Sequence, residues 1–145
     1  MPELANEAVA PRTLRFGAVY TYLDNDRATA TDPSRRGYER HWAETLDHVA
    51  WAESIGFDSV WFNEHHFDGL CPSPLVMTAA AAMRTKRVRL SSCVTLAPLY
   101  HPLRLAEEAA MVSVLSEGRY DLGIGMGYSE KEFEAFGVKD RKSVV

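Results

Sequence analysis

Ser59-Val60-Trp61-Phe62-Asn63-Glu64-His65-His66-Phe67 decides how this chain reads. Residues 59–62 are β-prone, and they end directly in a carboxylate and two imidazoles. Parallel α/β folds carry their chemistry at the C-terminal ends of strands. The unperturbed pKa of histidine, roughly 6.5, lets it exchange a proton near neutral pH. The stretch reads as a strand that delivers a site.

On either side the chain alternates strand and helix signals. Leu14, Phe16, Ala18, Tyr20 and Tyr22 alternate with Arg15, Gly17, Val19 and Thr21, the period of a strand. A polar stretch, Asp24 to Arg36, is long for a βα loop. A helix is expected from Tyr38, with Trp42, Leu46, Val49 and Ala50 on one stripe and Gly56 as its stop. Ser73-Pro74 opens a second helix, with a capping hydroxyl followed by a first-turn proline. Val88 to Thr95 reads as the third strand, Pro102 to about Ser116 as a helix, Tyr120 to Gly125 as the fourth strand, and Glu130 to Phe136 as a short helix.

Strands beginning near 14, 58, 88 and 120 with helices between them require a parallel sheet. Four such strands form an open doubly wound sheet or half of an eight-stranded barrel. A (β/α)8 barrel needs ~250 residues, so if this chain belongs to a barrel about half of the barrel is missing. On that reading residues 1–13 are a flexible N-terminus, 14–138 half of the barrel domain, and 139–145 a truncated tail.

Bulk properties narrow the function. The 145 residues carry 16 basic and 20 acidic side chains, a net charge of −4 that gives no general attraction for nucleic acid or an anionic membrane. No apolar run approaches the ~20 residues of a membrane span, and Met1 to Thr13 lack a signal-peptide core. Cys71 and Cys93 stand outside any CxxC or CxxH spacing and read as reduced thiols in a cytoplasmic protein.

Three segments taken together carry a resemblance. They are Trp61 to Phe67, with its EHHF; Leu96 to Glu108, with HPLRLAEE; and Leu115 to Gly125, with SEGR and GIG, leading to Phe133-Glu134-Ala135-Phe136-Gly137. In this order and spacing, from about residue 14 to 138, the chain resembles the bacterial luciferase-like flavin-dependent monooxygenases. The resemblance implies a TIM barrel of which this chain holds the first four βα units, its N-terminal half, together with a small organic substrate such as an aldehyde and reduced FMN delivered by a separate flavin reductase. In such enzymes molecular oxygen adds to the flavin C4a carbon, and the resulting hydroperoxide oxidises the substrate. His65 matches a catalytic histidine beside the flavin, flanked by Glu64 and His66. A cis peptide without proline is implied at Cys93-Val94, where backbone passes close to the flavin ring. Homodimers are implied too, with acidic residues at the position of Glu107 and Glu108 near the contact.

The chain also departs from luciferase proper. Gly125 stands where that protein has a reactive cysteine, and Met126 where it has a phosphate-binding arginine. Both positions are expected to adjoin the cofactor, while light emission is not expected and the phosphate grip must come from elsewhere.

Plainer readings stand beside these. Adjacent side chains leave a strand on opposite faces, so His66 is assigned a supporting or interface role. Glu64 is either a general base or, as favoured here, a partner that orients an imidazole or a loop amide. His101 reads equally as helix-start chemistry or as a flavin neighbour, and Glu107 and Glu108 as a solvated face. Gly123-Ile124-Gly125-Met126-Gly127 fails as a dinucleotide fingerprint because Tyr128 occupies the last glycine position. Its glycines leave room for a ligand or for barrel packing. No metal site is expected from Glu64, His65, His66, Asp68, Cys71 and His101, because adjacent histidines on one strand converge poorly. Alternative functions are hydride transfer with the deazaflavin F420 on the same fold, or a catalytically silent fragment that serves as an association module.

Overall fold

A computed structural model describes residues 14–20, 35–67 and 71–138. The expectations for residues 1–13, Tyr22, the polar stretch from Asp24 to residue 34, Asp68 and residues 139–145 lie outside them. Strand β1 (Gly17–Tyr20) is followed by α1 (Arg35–Ser54), β2 (Ser59–Phe62), α2 (Pro74–Arg84) and β3 (Arg89–Ser92). Then come β4 (Thr95–Leu96), a 3-10 turn over Ala97–Leu99, α3 (Pro102–Leu115), β5 (Tyr120–Asp121), β6 (Ile124–Gly125) and α4 (Glu130–Ala135). Four strands form one sheet in the order β1-β2-β3-β5, every pair parallel.

Local chemistry explains the helix ends. Past α1, Gly56 takes a φ of +100° and Phe57 donates back to the Ala52 carbonyl at 3.0 Å, a left-handed stop suited to glycine. Ser73 caps α2 by accepting the Val76 N–H at 3.3 Å, with Pro74 in the first turn.

Register sorts the sheet into two faces. Ala18, Val60, Leu90 and Tyr120 form one row, and Tyr20 and Phe62 the next. Ala18, Tyr20, Val60, Phe62 and Leu90 join Val49, Met77, Ala81 and Ala82 of α1 and α2 in the main core, in which Val60 and Leu90 are fully buried, while Tyr120 packs against a second cluster. Leu75, Leu105 and Val112 build a second cluster against α3. Burying side chains of this size contributes about 1.5–3 kcal/mol each. The opposite face carries Val19, Trp61 and the Arg89–Asp121 ion pair, whose Nε donates to Oδ2 at 2.6 Å.

The third and fourth strands differ from the continuous runs expected: each is broken in two. The Ser92 hydroxyl donates to the Gly123 carbonyl at 2.9 Å and accepts the Gly123 N–H at 3.1 Å, so a side chain takes the place of the next backbone rung. A Cβ on Gly123 would collide with the Ser92 carbonyl. Beyond a cis peptide at Cys93-Val94, pairing resumes as β4 against β6, Thr95 opposite Ile124 and Leu96 opposite Gly125.

Two charged side chains hold the end of the sheet away from the site. The Arg119 guanidinium donates to the Ala82, Thr85 and Val88 carbonyls and to the Thr85 hydroxyl at 3.0–3.2 Å, tying the end of α2 to β3. The Glu53 carboxylate accepts from the Lys86, Arg87 and Val88 amides at 2.6–3.1 Å. Burial by itself raises its pKa, but those amides and the Arg119 charge outweigh it and hold the carboxyl below its ordinary value.

Arg119→Ala, which orphans several acceptors, is expected to lower the unfolding free energy by about 2–4 kcal/mol in chemical denaturation. Native Glu53 stays ionised at pH values where the unfolded chain has already bound a proton. Its stabilisation is therefore present above the ordinary carboxylate pKa and is lost as pH falls through the native value. A Glu53→Gln protein is expected to show a shallower loss of stability below about pH 5, measured by thermal unfolding at stepped pH.

Candidate functional site

The loop after β2 and the break after β3 leave the sheet at the same edge. Cys93 N–H donates to the Phe62 carbonyl at 2.7 Å, closing the last rung before both segments depart. Asn63, Glu64 and His65 follow Phe62 directly, and His65 N–H donates to the Cys71 carbonyl at 3.0 Å. Phe67 ends the described part of the loop with a left-handed φ of +67°.

Glu64 is turned inward, its side chain wholly shielded from solvent. Oε2 accepts the Leu96 N–H at 2.8 Å, while Oε1 accepts the Tyr100 hydroxyl and lies against His66 Nε2, both at 2.9 Å. A buried carboxylate is stable only when supplied with donors, and Glu64 draws them from β4, the residue after the 3-10 turn and its own loop. Burial, and then the Glu64 charge, drive the Tyr100 phenol well above its ordinary pKa. Burial pushes the Cys71 thiol up to about 11, which leaves it in its unreactive protonated form.

The two histidines have different surroundings. His66 is 11% exposed at its side chain, bound to Glu64, with its ring 4.5 Å from that of Phe136. His65 is 21% exposed, meets the Tyr128 ring edge-on at 5.7 Å, and places Nδ1 3.4 Å from Glu132 Oε1. The same oxygen accepts the His66 N–H at 2.8 Å. Glu132 was missed in the sequence reading. Its signal is Ser129-Glu130-Lys131-Glu132, a capping-box pattern that opens a helix.

The remaining expected residues fall into place around this pair. Cys93 is exposed and Val94 half-buried. Gly125 lies against Val94, whose side chain fills the space a Cβ would take, so packing accounts for the glycine. Met126 is exposed. His101 is the exposed N-cap of α3 and makes no capping bond through its side chain. Glu107 and Glu108 ion-pair with Arg104 on the surface of α3, and Tyr20 stacks on Phe62 in the core. Among the described residues no group of three His, Cys, Asp or Glu side chains is arranged to hold a metal ion, and no helix is long and apolar enough to cross a membrane.

A parallel sheet with alternating helices and an acid–imidazole cluster at the C-terminal end of its strands is the architecture of a partial β/α barrel. A family model described as luciferase-like monooxygenase matches residues 22–144, and the chain belongs to that family. The oxygenase component of flavin-dependent trigonelline monooxygenase from Acinetobacter baylyi is 40% identical over 85 residues, 57% of this chain and 24% of that protein. Monooxygenase RslO1 of Streptomyces bottropensis superposes with a TM-score of 0.76 at 34% identity, over 90% of this chain and 38% of that one. The oxygenating constituent of 3,6-diketocamphane monooxygenase from Pseudomonas putida, in complex with FMN, gives 0.75 at 27%, over 91% and 35%. A coenzyme F420-dependent tetrahydromethanopterin reductase of Methanopyrus kandleri gives 0.58 at 26%, over 88% and 31%. The chain spans about a third of the length of the curated relatives it matches first.

Tyr100→Phe takes one donor from buried Glu64 and is expected to cost about 1–2 kcal/mol of stability. Glu64→Ala orphans the Leu96 amide and the Tyr100 hydroxyl together and is expected to cost about 3 kcal/mol or more, both read from urea midpoints.

Proposed function

We propose that this chain supplies the catalytic-histidine part of an FMN-dependent monooxygenase that oxidises a small organic molecule with molecular oxygen. The observation that carries this reading is a part-exposed His65 in the loop after β2, next to the Cys93-Val94 segment that leaves β3 beside Phe62, in a chain of this family. The residues present suit a flat heteroaromatic ring. Cys93 is exposed, Tyr128 and Met126 offer exposed apolar surface, and Gly125 brings backbone close to Val94 without a side chain between. When bound, reduced FMN supplies the electrons that activate oxygen.

The protein's own part is proton management and positioning. His65 holds or returns a proton at the reacting centre, the role for which a positioned imidazole is suited. Glu64 and His66 orient the loop that carries it. Cys93 and Val94 present backbone to the ring, with Gly125 and Met126 beside them. Met126 brings no charge to a phosphate, so that group is gripped by residues outside this set.

A separate flavin reductase is the partner in this reading, supported by the two-component name of the Acinetobacter relative. A homodimer is supported by the exposed Leu103, Met111 and Val114 on α3. The setting is the cytoplasm, where reduced flavin and free thiols persist. A second reading, hydride transfer with F420 and no oxygen, has the Methanopyrus relative in its favour but at the lower structural similarity. Oxygen consumption separates the two.

In a protein that carries the whole barrel, His65→Ala is expected to retain FMN binding while losing about 10²-fold or more of substrate oxygenation and releasing peroxide instead, whereas the 145 residues alone are expected to bind FMN weakly or not at all. Unchanged turnover would remove His65 from its role. FMN is also expected to slow alkylation of exposed Cys93, with buried Cys71 unreactive throughout, read by mass spectrometry of the labelled protein.

A further inference from the structure

We propose that Glu132 is a positioning residue that fixes which nitrogen of His65 faces the reaction. This rests on the role proposed for His65 above and names the group that makes the role possible.

The Glu132 side chain is 5% exposed and lies beneath the loop carrying both histidines. It begins where a capping box would place it. Ser129 Oγ accepts the Glu132 N–H at 3.4 Å and starts α4. In a capping box the carboxylate would turn back to the serine amide. Here Oε1 instead reaches 66 residues back along the chain, taking the His66 N–H at 2.8 Å and facing His65 Nδ1 at 3.4 Å.

A neutral imidazole has two tautomers of similar energy, and a carboxylate beside one nitrogen selects the form protonated there. Glu132 therefore holds the proton of His65 on Nδ1, and the Tyr128 ring, edge-on at 5.7 Å, restricts the plane. Nε2 is left with its lone pair directed away from the carboxylate. One proton can then arrive at Nε2 and depart from it while Nδ1 keeps its own. The resulting imidazolium has Glu132 as its counter-charge. A base oriented by a third group is the general logic of activated catalytic imidazoles.

A purely structural role is the competing account, since the His66 amide bond alone would anchor the loop. Glu132→Gln separates the two, because it keeps an oxygen for that amide but loses the charge that selects the tautomer. Glu132→Ala removes both. The readout is the side-chain ¹⁵N spectrum of His65 in flavin-free protein, assigned by its loss in His65→Ala. Wild type is expected to show Nδ1 protonated and Nε2 unprotonated, and Glu132→Gln a mixture of tautomers. With FMN and substrate, Glu132→Gln is expected to lower kcat about tenfold or more with KM within about twofold.

A His65 spectrum identical in wild type, Glu132→Gln and Glu132→Ala would overturn the proposal, whatever happens to the melting temperature. Unchanged turnover in His65→Ala would instead remove the role of His65 and leave the spectroscopic result intact, so the two failures are distinguishable.

Discussion

The arrangement at the sheet edge depends on one buried carboxylate. Glu64 has no contact with solvent, and its two oxygens collect the Leu96 amide, the Tyr100 hydroxyl and His66 Nε2. These donors come from two separate departures from the sheet, the loop after β2 and the segment after β3. Joining them makes the His65 loop and the Cys93-Val94 backbone one rigid rim. A buried carboxylate without donors is costly, so pulling either segment away from Glu64 is disfavoured. The adjacent residues of the EHH sequence thus divide the work. Glu64 faces inward and joins the two segments, His66 completes its partners, and His65 stays the more exposed of the two imidazoles, as the proposed function requires.

Glu132 extends the same principle from the fourth βα unit. The helix that carries it is only 6 residues long, yet its first-turn carboxylate crosses to the second unit. Three consecutive polar residues after β2 are consequently held by partners lying 32 to 67 positions away in sequence. Gly123 and Gly125 permit the close packing behind this rim, one against the Ser92 carbonyl and the other against Val94.

Much of the fold was legible because its signals are local. Gly56 marks the end of α1, Ser73-Pro74 the start of α2, and the alternation of apolar runs the parallel sheet. The cis bond came from the resemblance and not from any property of Cys93 or Val94 considered alone. What stayed hidden has a common physical origin in contacts between distant segments. The break in β3 arises from a Ser92 hydroxyl that substitutes for a backbone rung, and nothing within residues 88–95 announces it. The Arg119 clamp and the Glu53 cradle likewise join elements about 30 residues apart. Glu132 carried a readable motif, but the capping-box pattern foretells the helix start and not the carboxylate's eventual partner.

The strand order has a consequence for how the molecule is made. In the four-stranded sheet the strand of each βα unit lies beside that of the unit before it, so no unit has to wait for a distant partner before docking. Sequential neighbours keep loop-closure entropy small, and a growing sheet can add units as they leave the ribosome. The polar rim is completed last, when α4 emerges and delivers Glu132 beneath a histidine loop translated some sixty residues earlier.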